Sequence, residues 1–283
     1  MIKVNGYKLE VGHFPDGTFA PWNLNSDWFD DNDKLVNICW YFDSNEEIIL
    51  IRSLCRKIRR IMGKNVEITL DLPYVPNARM DRIHNVYEMP ALRDFCEDLN
   101  ECDFDTVNTI NVHSDVSKFG IKNINNYIPE SQIWNVIEKY DPDVIFFPDE
   151  GARKRYLETY SIKKSLEAGR EIAEGMKKRK WSTNEILGLD VISDADLTGK
   201  KILIIDDICS AGGTFKFSAK KLKELGAKDV ALYVTHCEDN IQNGELLKTD
   251  LISKIYTTDS ILHISDPKIE IIEKYRNYLD NSK

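Results

Sequence analysis

The chain has 283 residues, 42% of them hydrophobic and 30% charged, enough for two α/β domains or one large one around a substantial core. A formal net charge of −9 argues against broad nucleic-acid binding, although a local basic site for an anionic substrate remains compatible with it. No apolar run is long enough for a bilayer, the first residues lack a signal-peptide core and the six cysteines form no CxxC pair; a reduced, cytoplasmic protein without membrane, nucleic-acid or zinc partners is expected.

In chain order, residues 1–11 read as strand, with Asn5-Gly6 as a hairpin turn. His13-Phe14-Pro15-Asp16-Gly17-Thr18 is a Pro-Asp-Gly turn that, taken alone, is simply a loop. Residues 35–42 suit a strand. Residues 46–62 suit a helix, with Ser44 as N-cap, Glu47 completing a capping box and Gly63 as the stop. Its Arg56, Lys57, Arg59 and Arg60 form a solvated face.

Residues 66–72 form the next strand, which empties into Pro73-Tyr74-Val75-Pro76-Asn77-Ala78-Arg79-Met80-Asp81-Arg82. That loop is too rich in proline for helix and too charged for core. Arg79 and Arg82 around Asp81 suit a polyphosphate clamp, because guanidinium forks match phosphate oxygens. An internal Arg–Asp bridge that shapes the loop fits the same spacing.

Residues 90–99 read as helix and 106–112 as strand, with His113-Ser114-Asp115 just past its end, where open sheets bind ligands. Residues 131–140 read as helix. Residues 144–147 make a very apolar strand that ends in Pro148-Asp149-Glu150-Gly151. A helix is expected over 165–176, and the cations of Lys177-Lys178-Arg179-Lys180-Trp181 then fall on a mobile loop.

Ile202-Leu203-Ile204-Ile205 is the pattern of a strand buried on both faces. It ends in Asp206 and Asp207, then Ser210-Ala211-Gly212-Gly213-Thr214 leads into a helix over 215–225. Carboxylates, glycine loop and helix N-terminus together form a phosphate cradle beside groups that can face a polyol or a metal. A strand over 230–234, ending at Thr235-His236-Cys237, a helix over 246–251, a strand over 254–258 and a last helix over 268–279 complete the order. Alternating strands and helices imply largely parallel sheets with helices on both faces, and a domain boundary near Asp141.

These segments resemble the ribose-phosphate pyrophosphokinases, a family built from two type I phosphoribosyltransferase-like domains; here these correspond to residues 1–140, binding ATP, and 141–283, binding ribose phosphate. HFPDGT resembles the family's adenine loop and PYVPNARMDR its PYxxYARQDR loop. VHSD resembles its metal-associated DLH turn, FPDEGARKRY its SPDxGGxxRA segment, KKRK its catalytic K-x-R loop and DDICSAGGT its DDxxDTxGT loop. THCED and YTTDSI resemble the closing strands of its second domain.

The resemblance implies that Phe14 and Asp16 contact adenine across a subunit interface, so the protein is expected to be a homodimer or homohexamer. It implies that Arg79, Asp81 and Arg82 engage the triphosphate, and that His113 and Asp149 help hold Mg²⁺–ATP. Lys177 and Arg179 are the implied catalytic cations, with Lys178 and Lys180 the alternative register. Asp206 and Asp207 are implied to hold the ribose hydroxyls, and Ser210, Ala211, Gly212, Gly213 and Thr214 the 5′-phosphate.

The implied activity moves the β,γ-pyrophosphate of Mg²⁺–ATP to the anomeric hydroxyl of ribose 5-phosphate. The chain also departs from the family pattern. Thr18 stands where the adenine loop usually has Glu, Met80 where the ATP loop has Gln, and Ile83-His84-Asn85-Val86 replaces the basic segment after Arg82. Ser210 and Ala211 replace the Asp and Thr of the phosphate loop, removing a hydroxyl donor from a site that meets a terminal phosphate. These departures also fit a branch that acts on ADP-ribose in NAD salvage, and a third reading is a silent regulatory relative. Arg79, His113, Asp149, the Lys/Arg loop and both aspartates speak against the third.

Overall fold

The structure is a computed structural model that describes residues 1–20, 22, 24–29, 34–83, 85–179 and 186–275, the backbone alone at 177–179, 186, 187 and 189. The chain divides into two compact units, the first Met1–Ile128 with the chain returning to it at Tyr275, the second Pro129–Lys274.

Unit 1 opens with the hairpin β1 (Ile2–Val4) and β2 (Tyr7–Lys8). Asn5 and Gly6, at φ 48° and 86°, supply the left-handed pair that such a two-residue turn needs. Next come β3 (Leu35–Trp40), α1 (Glu47–Met62), β4 (Glu67–Asp71), α2 (Ala91–Asn100), β5 (Thr106–Ile110), α3 (Asp115–Gly120) and β6 (Ile124–Tyr127). The sheet order is β2-β1-β3-β4-β5-β6, parallel from β3 onward.

Val36, Ile38 and Trp40 of β3, with Ile68 and Leu70 of β4, share one core with Ile51, Leu54 and Ile58 of α1 and Leu92 and Phe95 of α2. At the start of α1, Glu47 turns back to accept from the backbone of Asp43 (2.9 Å) and the Trp40 indole (2.7 Å). It thereby satisfies donors ahead of the helix, but the expected capping box is not formed: Glu46, not Ser44, is the N-cap, and no side chain caps the first turn, because the helix begins two residues later than that box requires.

Unit 2 contains α4 (Glu130–Tyr140), β7 (Val144–Phe147), α5 (Glu150–Tyr156), α6 (Tyr160–Glu167), β8 (Glu171–Arg179), β9 (Ile186–Ser193), β10 (Lys201–Cys209), α7 (Gly213–Glu224), β11 (Asp229–Cys237), β12 (Lys254–Thr258) and β13 (Ile269–Glu273). The order is β13-β12-β11-β10-β7-β8-β9, with only the β8–β9 pair antiparallel among the described strands. Both faces are covered. Phe146, Ile202, Ile204 and Leu232 pack with Phe215, Ala219 and Leu222 of α7, while Phe147 points the other way and stacks on Tyr156 of α5.

Three expected helices are not formed. Over 165–176, α6 stops at Glu167; Gly169 adopts φ 85°, and Glu171 onward pairs with β7 as β8. Partnership with the sheet overrides the helix propensity of Ala, Glu, Met and Lys there. Residues 177–179 therefore lie on a strand, whereas Lys180 and Trp181 fall outside the described residues. The segment expected as a helix over 268–279 is β13 from Ile269 to Glu273, whose Ile-rich sequence suits either period, and residues 276–279 fall outside the described residues. Over 246–251 only a single 3₁₀ turn, Leu246–Lys248, forms. All six cysteines are buried free thiols. No described helix is long and apolar enough to cross a membrane.

Candidate active site

In unit 2 the strand order reverses between β7 and β10, the place where open α/β sheets leave a crevice at their carboxyl ends. Pairing of β10 with β7 ends at Ile204–Phe146, but β10 runs on beside β11 to Cys209–Cys237. Asp206 and Asp207 therefore lie within the strand, on the stretch that β7 no longer covers, rather than beyond its end.

The two carboxylates differ. Asp206 is half-buried and accepts from the Asp207 backbone N–H at 2.9 Å. Asp207 is 2% exposed and forms an ion pair with Arg155. Arg155 is carried by α5, whose N-cap is Asp149, the carboxylate accepting from the Ala152 N–H at 3.0 Å. One short helix thus places Asp149 at the end of β7 and a guanidinium on Asp207. Arg155 stands where FPDEGARKRY matches the arginine of the family segment, and only the fold shows its partner.

The loop after β10 is tightly backed. Gly212 caps α7 at φ 79°, and a Cβ there would lie 2.0 Å from Leu246 Cδ1. Gly244 approaches from the other side, where a Cβ would lie 1.9 Å from the Ala211 carbonyl oxygen. Both positions accept only glycine. The first turn of α7 carries no acidic side chain, so its N-terminal N–H groups face the loop without competition from a carboxylate. Lys177 and Arg179 lie on β8, opposite Leu189 and Ile186 of β9, with a register shift between Lys178 and Arg179.

Unit 1 holds the other predicted residues. In the 73–82 loop, Asn77 adopts φ 60° and Ala78 is buried, while Arg79 and Arg82 are exposed. Asp81 accepts from the Ser114 hydroxyl at 2.9 Å, and Ser114 also caps α3 by accepting from the Val116 N–H at 3.1 Å. The loops after β4 and β5 are thus joined, which brings the exposed His113 into the same loop cluster. In the HFPDGT turn, Phe14 is 48% exposed and a His13–Phe19 bridge closes the loop. The Thr18 hydroxyl and then its N–H donate to Asp16, at 2.7 and 3.0 Å, and hold its carboxyl below the ordinary value. Thr18, a departure from the family pattern, orders the aspartate beside it.

Among the described residues no group of three or more His, Cys, Asp or Glu side chains could cage a metal. Asp149, the carboxylate at the end of β7, is of the oxygen-donor type that Mg²⁺ prefers. His84, within the departing segment after Arg82, lies outside the described residues.

Residues 133–269 match the phosphoribosyl transferase domain family. The chain is similar to the ribose-phosphate pyrophosphokinase of Pyrococcus abyssi, 27% identical over 276 residues that cover 93% of this chain and 92% of that protein. It is also similar to the ribose-phosphate pyrophosphokinase of Nitrosomonas europaea, 28% identical over 268 residues, with 92% and 80% of the two chains covered. The crystal structure of phosphoribosylpyrophosphate synthetase from Mycobacterium smegmatis shares the fold at a TM-score of 0.70 and 23% identity, over 94% of this chain and 86% of that one.

Proposed function

We propose that the chain, similar over nearly its whole length to ribose-phosphate pyrophosphokinases, is a pyrophosphokinase of that kind and transfers the β,γ-diphosphoryl group of ATP to ribose 5-phosphate. The observation that carries the acceptor assignment is the end of β10. There a half-buried Asp206, a fixed Asp207 and a glycine loop at a helix N-terminus follow one another at the reversal of strand order.

In this reading Asp206 and Asp207 accept from the ribose hydroxyls, and residues 210–214 surround the 5′-phosphate with backbone and hydroxyl donors. Arg79 and Arg82 bind the triphosphate, and Phe14 and Asp16 the adenine. The anomeric oxygen forms a bond to the β-phosphorus as the bond from that phosphorus to the α,β-bridging oxygen breaks; AMP leaves with the electron pair, and the hydroxyl proton passes to water. Negative charge spreads over the phosphoryl oxygens, so positioning and cations do the catalysis, and Lys177 and Arg179 are the residues assigned to that charge. Mg²⁺ on ATP would supply further charge neutralisation, and Asp149 or His113 is the residue that would hold it. Asp149 is the better suited of the two, since Mg²⁺ prefers oxygen ligands and His113 can instead donate to a phosphate oxygen.

A second acceptor, ADP-ribose, is favoured by Ala211. The ribose phosphate of ADP-ribose, bound in a diphosphate bridge, has one charge fewer than a terminal phosphate and needs fewer donors than a loop carrying Thr provides. Incubation with Mg²⁺–ATP and either sugar, with AMP and product followed by mass, separates the two. AMP formed only with ADP-ribose overturns the first reading, and AMP formed only with ribose 5-phosphate overturns the second.

A further inference from the structure

The expected loss of donors in the phosphate loop has a counterpart in the segment that follows β11. A 3₁₀ turn, Asp239–Asn243, runs beside the loop, and Asn240 Nδ2 donates to the Ser210 hydroxyl at 2.9 Å. Asn240 Oδ1 in turn accepts from Asn243 Nδ2 at 3.0 Å. With its oxygen occupied by Asn243, the Asn240 amide presents its NH₂ to Ser210.

A serine hydroxyl has one proton and two lone pairs. If one lone pair receives Asn240, the proton is left to point elsewhere, and Ser210 becomes a donor for an anion in the loop. The chain Asn243, Asn240, Ser210 therefore has a direction, each member donating to the next, and such chains polarise the last hydrogen bond.

The turn that carries Asn240 is fixed on both sides. Asp239 accepts from the backbone N–H of His263 at 2.7 Å and pairs with its Nδ1 at 2.9 Å, while Ile241 is fully buried in the core of unit 2. Glu245 forms an ion pair with Lys216, in the first turns of α7. Glu238 N–H donates to the Cys209 carbonyl at 2.8 Å, which ties the start of this segment to the end of β10. Asn240 itself is exposed and fills no core position. Its side chain acts on the loop through one contact.

We propose that Asn240 is a positioning residue for the acceptor: it turns the Ser210 hydroxyl into a donor to the acceptor's phosphate and makes up for the hydroxyl that Ala211 lacks. The inference rests on the reading of 210–214 as the acceptor's phosphate loop. Asn240 makes no contact with the reacting atoms in this assignment, so its loss acts on acceptor binding ahead of turnover.

The test compares wild type, Asn240→Ala, Asn240→Asp, Ser210→Ala and the Asn240→Ala/Ser210→Ala double variant. Binding of ribose 5-phosphate and of ADP-ribose is measured by calorimetry, and kcat and KM are measured at saturating ATP. Asn240→Ala is expected to weaken acceptor binding about 5- to 10-fold, the worth of one ordinary hydrogen bond that orients the Ser210 hydroxyl, with KM rising and kcat changing less than about 2-fold. Asn240→Asp is expected to weaken it further, because a carboxylate accepts the hydroxyl proton and repels the phosphate. On the Ser210→Ala background, Asn240→Ala is expected to add nothing, since its effect passes through that hydroxyl. Thermal midpoint and ATP affinity should match wild type in every variant.

Wild-type binding of a sugar phosphate with Asn240→Ala unaffected overturns this inference alone. Independent, additive losses from Asn240→Ala and Ser210→Ala also overturn it. Wild-type protein that binds neither sugar overturns the phosphate-loop reading and the inference with it.

Discussion

The two units assemble their candidate sites from opposite materials. In unit 1, Phe14, Arg79, Arg82 and His113 are exposed side chains on loops, and what is fixed there is the backbone beneath them, through the Asp81–Ser114 and Asp16–Thr18 hydrogen bonds. In unit 2, Asp207 is buried against Arg155, and the glycine loop is pressed by Leu246 and Gly244. In the proposed reading, acceptor geometry is set when unit 2 folds. Nucleotide binding then immobilises exposed side chains of unit 1, at roughly 0.5–1.5 kcal/mol for each. One site is part of a core; the other is a set of reaching side chains on a prepared frame.

Arg155→Met tests that contrast most severely. It removes the guanidinium paired with a carboxylate that is 2% exposed, and removing one partner of a buried pair costs about 3–5 kcal/mol. The urea midpoint of unit 2 should drop accordingly, and a loss under about 1 kcal/mol would sink the view that this site belongs to the core. The double variant Arg79→Ala/Arg82→Ala should do the reverse. Hydrogen bonds from charged groups are worth roughly 1.5–3 kcal/mol each, so with both arginines gone ATP affinity measured by calorimetry should fall about 100-fold or more. Stability should stay within about 0.5 kcal/mol of wild type, as for surface changes generally; a large stability loss would erase the difference between the units.

Gly244→Ala sharpens the comparison from the side of unit 2. Its Cβ meets a backbone oxygen at 1.9 Å, so the phosphate loop must move, at about 1–3 kcal/mol and with weaker acceptor binding. Gly188→Ala, where an added Cβ meets nothing within 4 Å, is the matched control and should leave acceptor binding at the wild-type value.

The smallest expected effect lies in unit 1, where burial pushes the Cys96 thiol up from the ordinary 9.0 to about 11, with the Glu97 charge a lesser cause. A folded-state value above the unfolded one means that this contribution is complete below pH 9 and is lost as pH rises through 11. Unfolding free energies from urea titrations across that window should fall by roughly 1–2 kcal/mol from this thiol, and Cys96→Ala should flatten that part of the curve. An unchanged slope in the variant would mean that Cys96 does not carry it.

Much of this architecture was legible because the determining signals are local. Asn5-Gly6 predicted its hairpin, the apolar run at 144–147 its buried strand, and Gly63 the end of α1. The segments that went astray are those where a neighbouring strand decides. Residues 171–176 have a helix former's composition and become strand only because β7 offers an edge, and 269–273 follow β12 in the same way.

The candidate site divides along the same line. Asp206, Asp207 and the glycine loop announce themselves by type and spacing. Arg155 was written in a motif yet needed the structure to show its partner. The Ser114–Asp81 and Asn240–Ser210 contacts join residues 33 and 30 positions apart, a distance over which spacing carries no signal.

The buried cysteines lend the molecule a pair of built-in clocks. Cys39, Cys55, Cys96 and Cys102 are enclosed in unit 1, and Cys209 and Cys237 in unit 2, the latter two opposite each other at the base of the phosphate loop. A thiol sealed in this way reacts with an alkylating reagent only during transient local opening, so its labelling rate counts those openings. Mass spectrometry of the labelled peptides then times each unit separately in the native protein. Slower labelling at Cys209 and Cys237 when a sugar phosphate is added, with the other four unchanged, would register an acceptor settling into its loop without any assay of turnover.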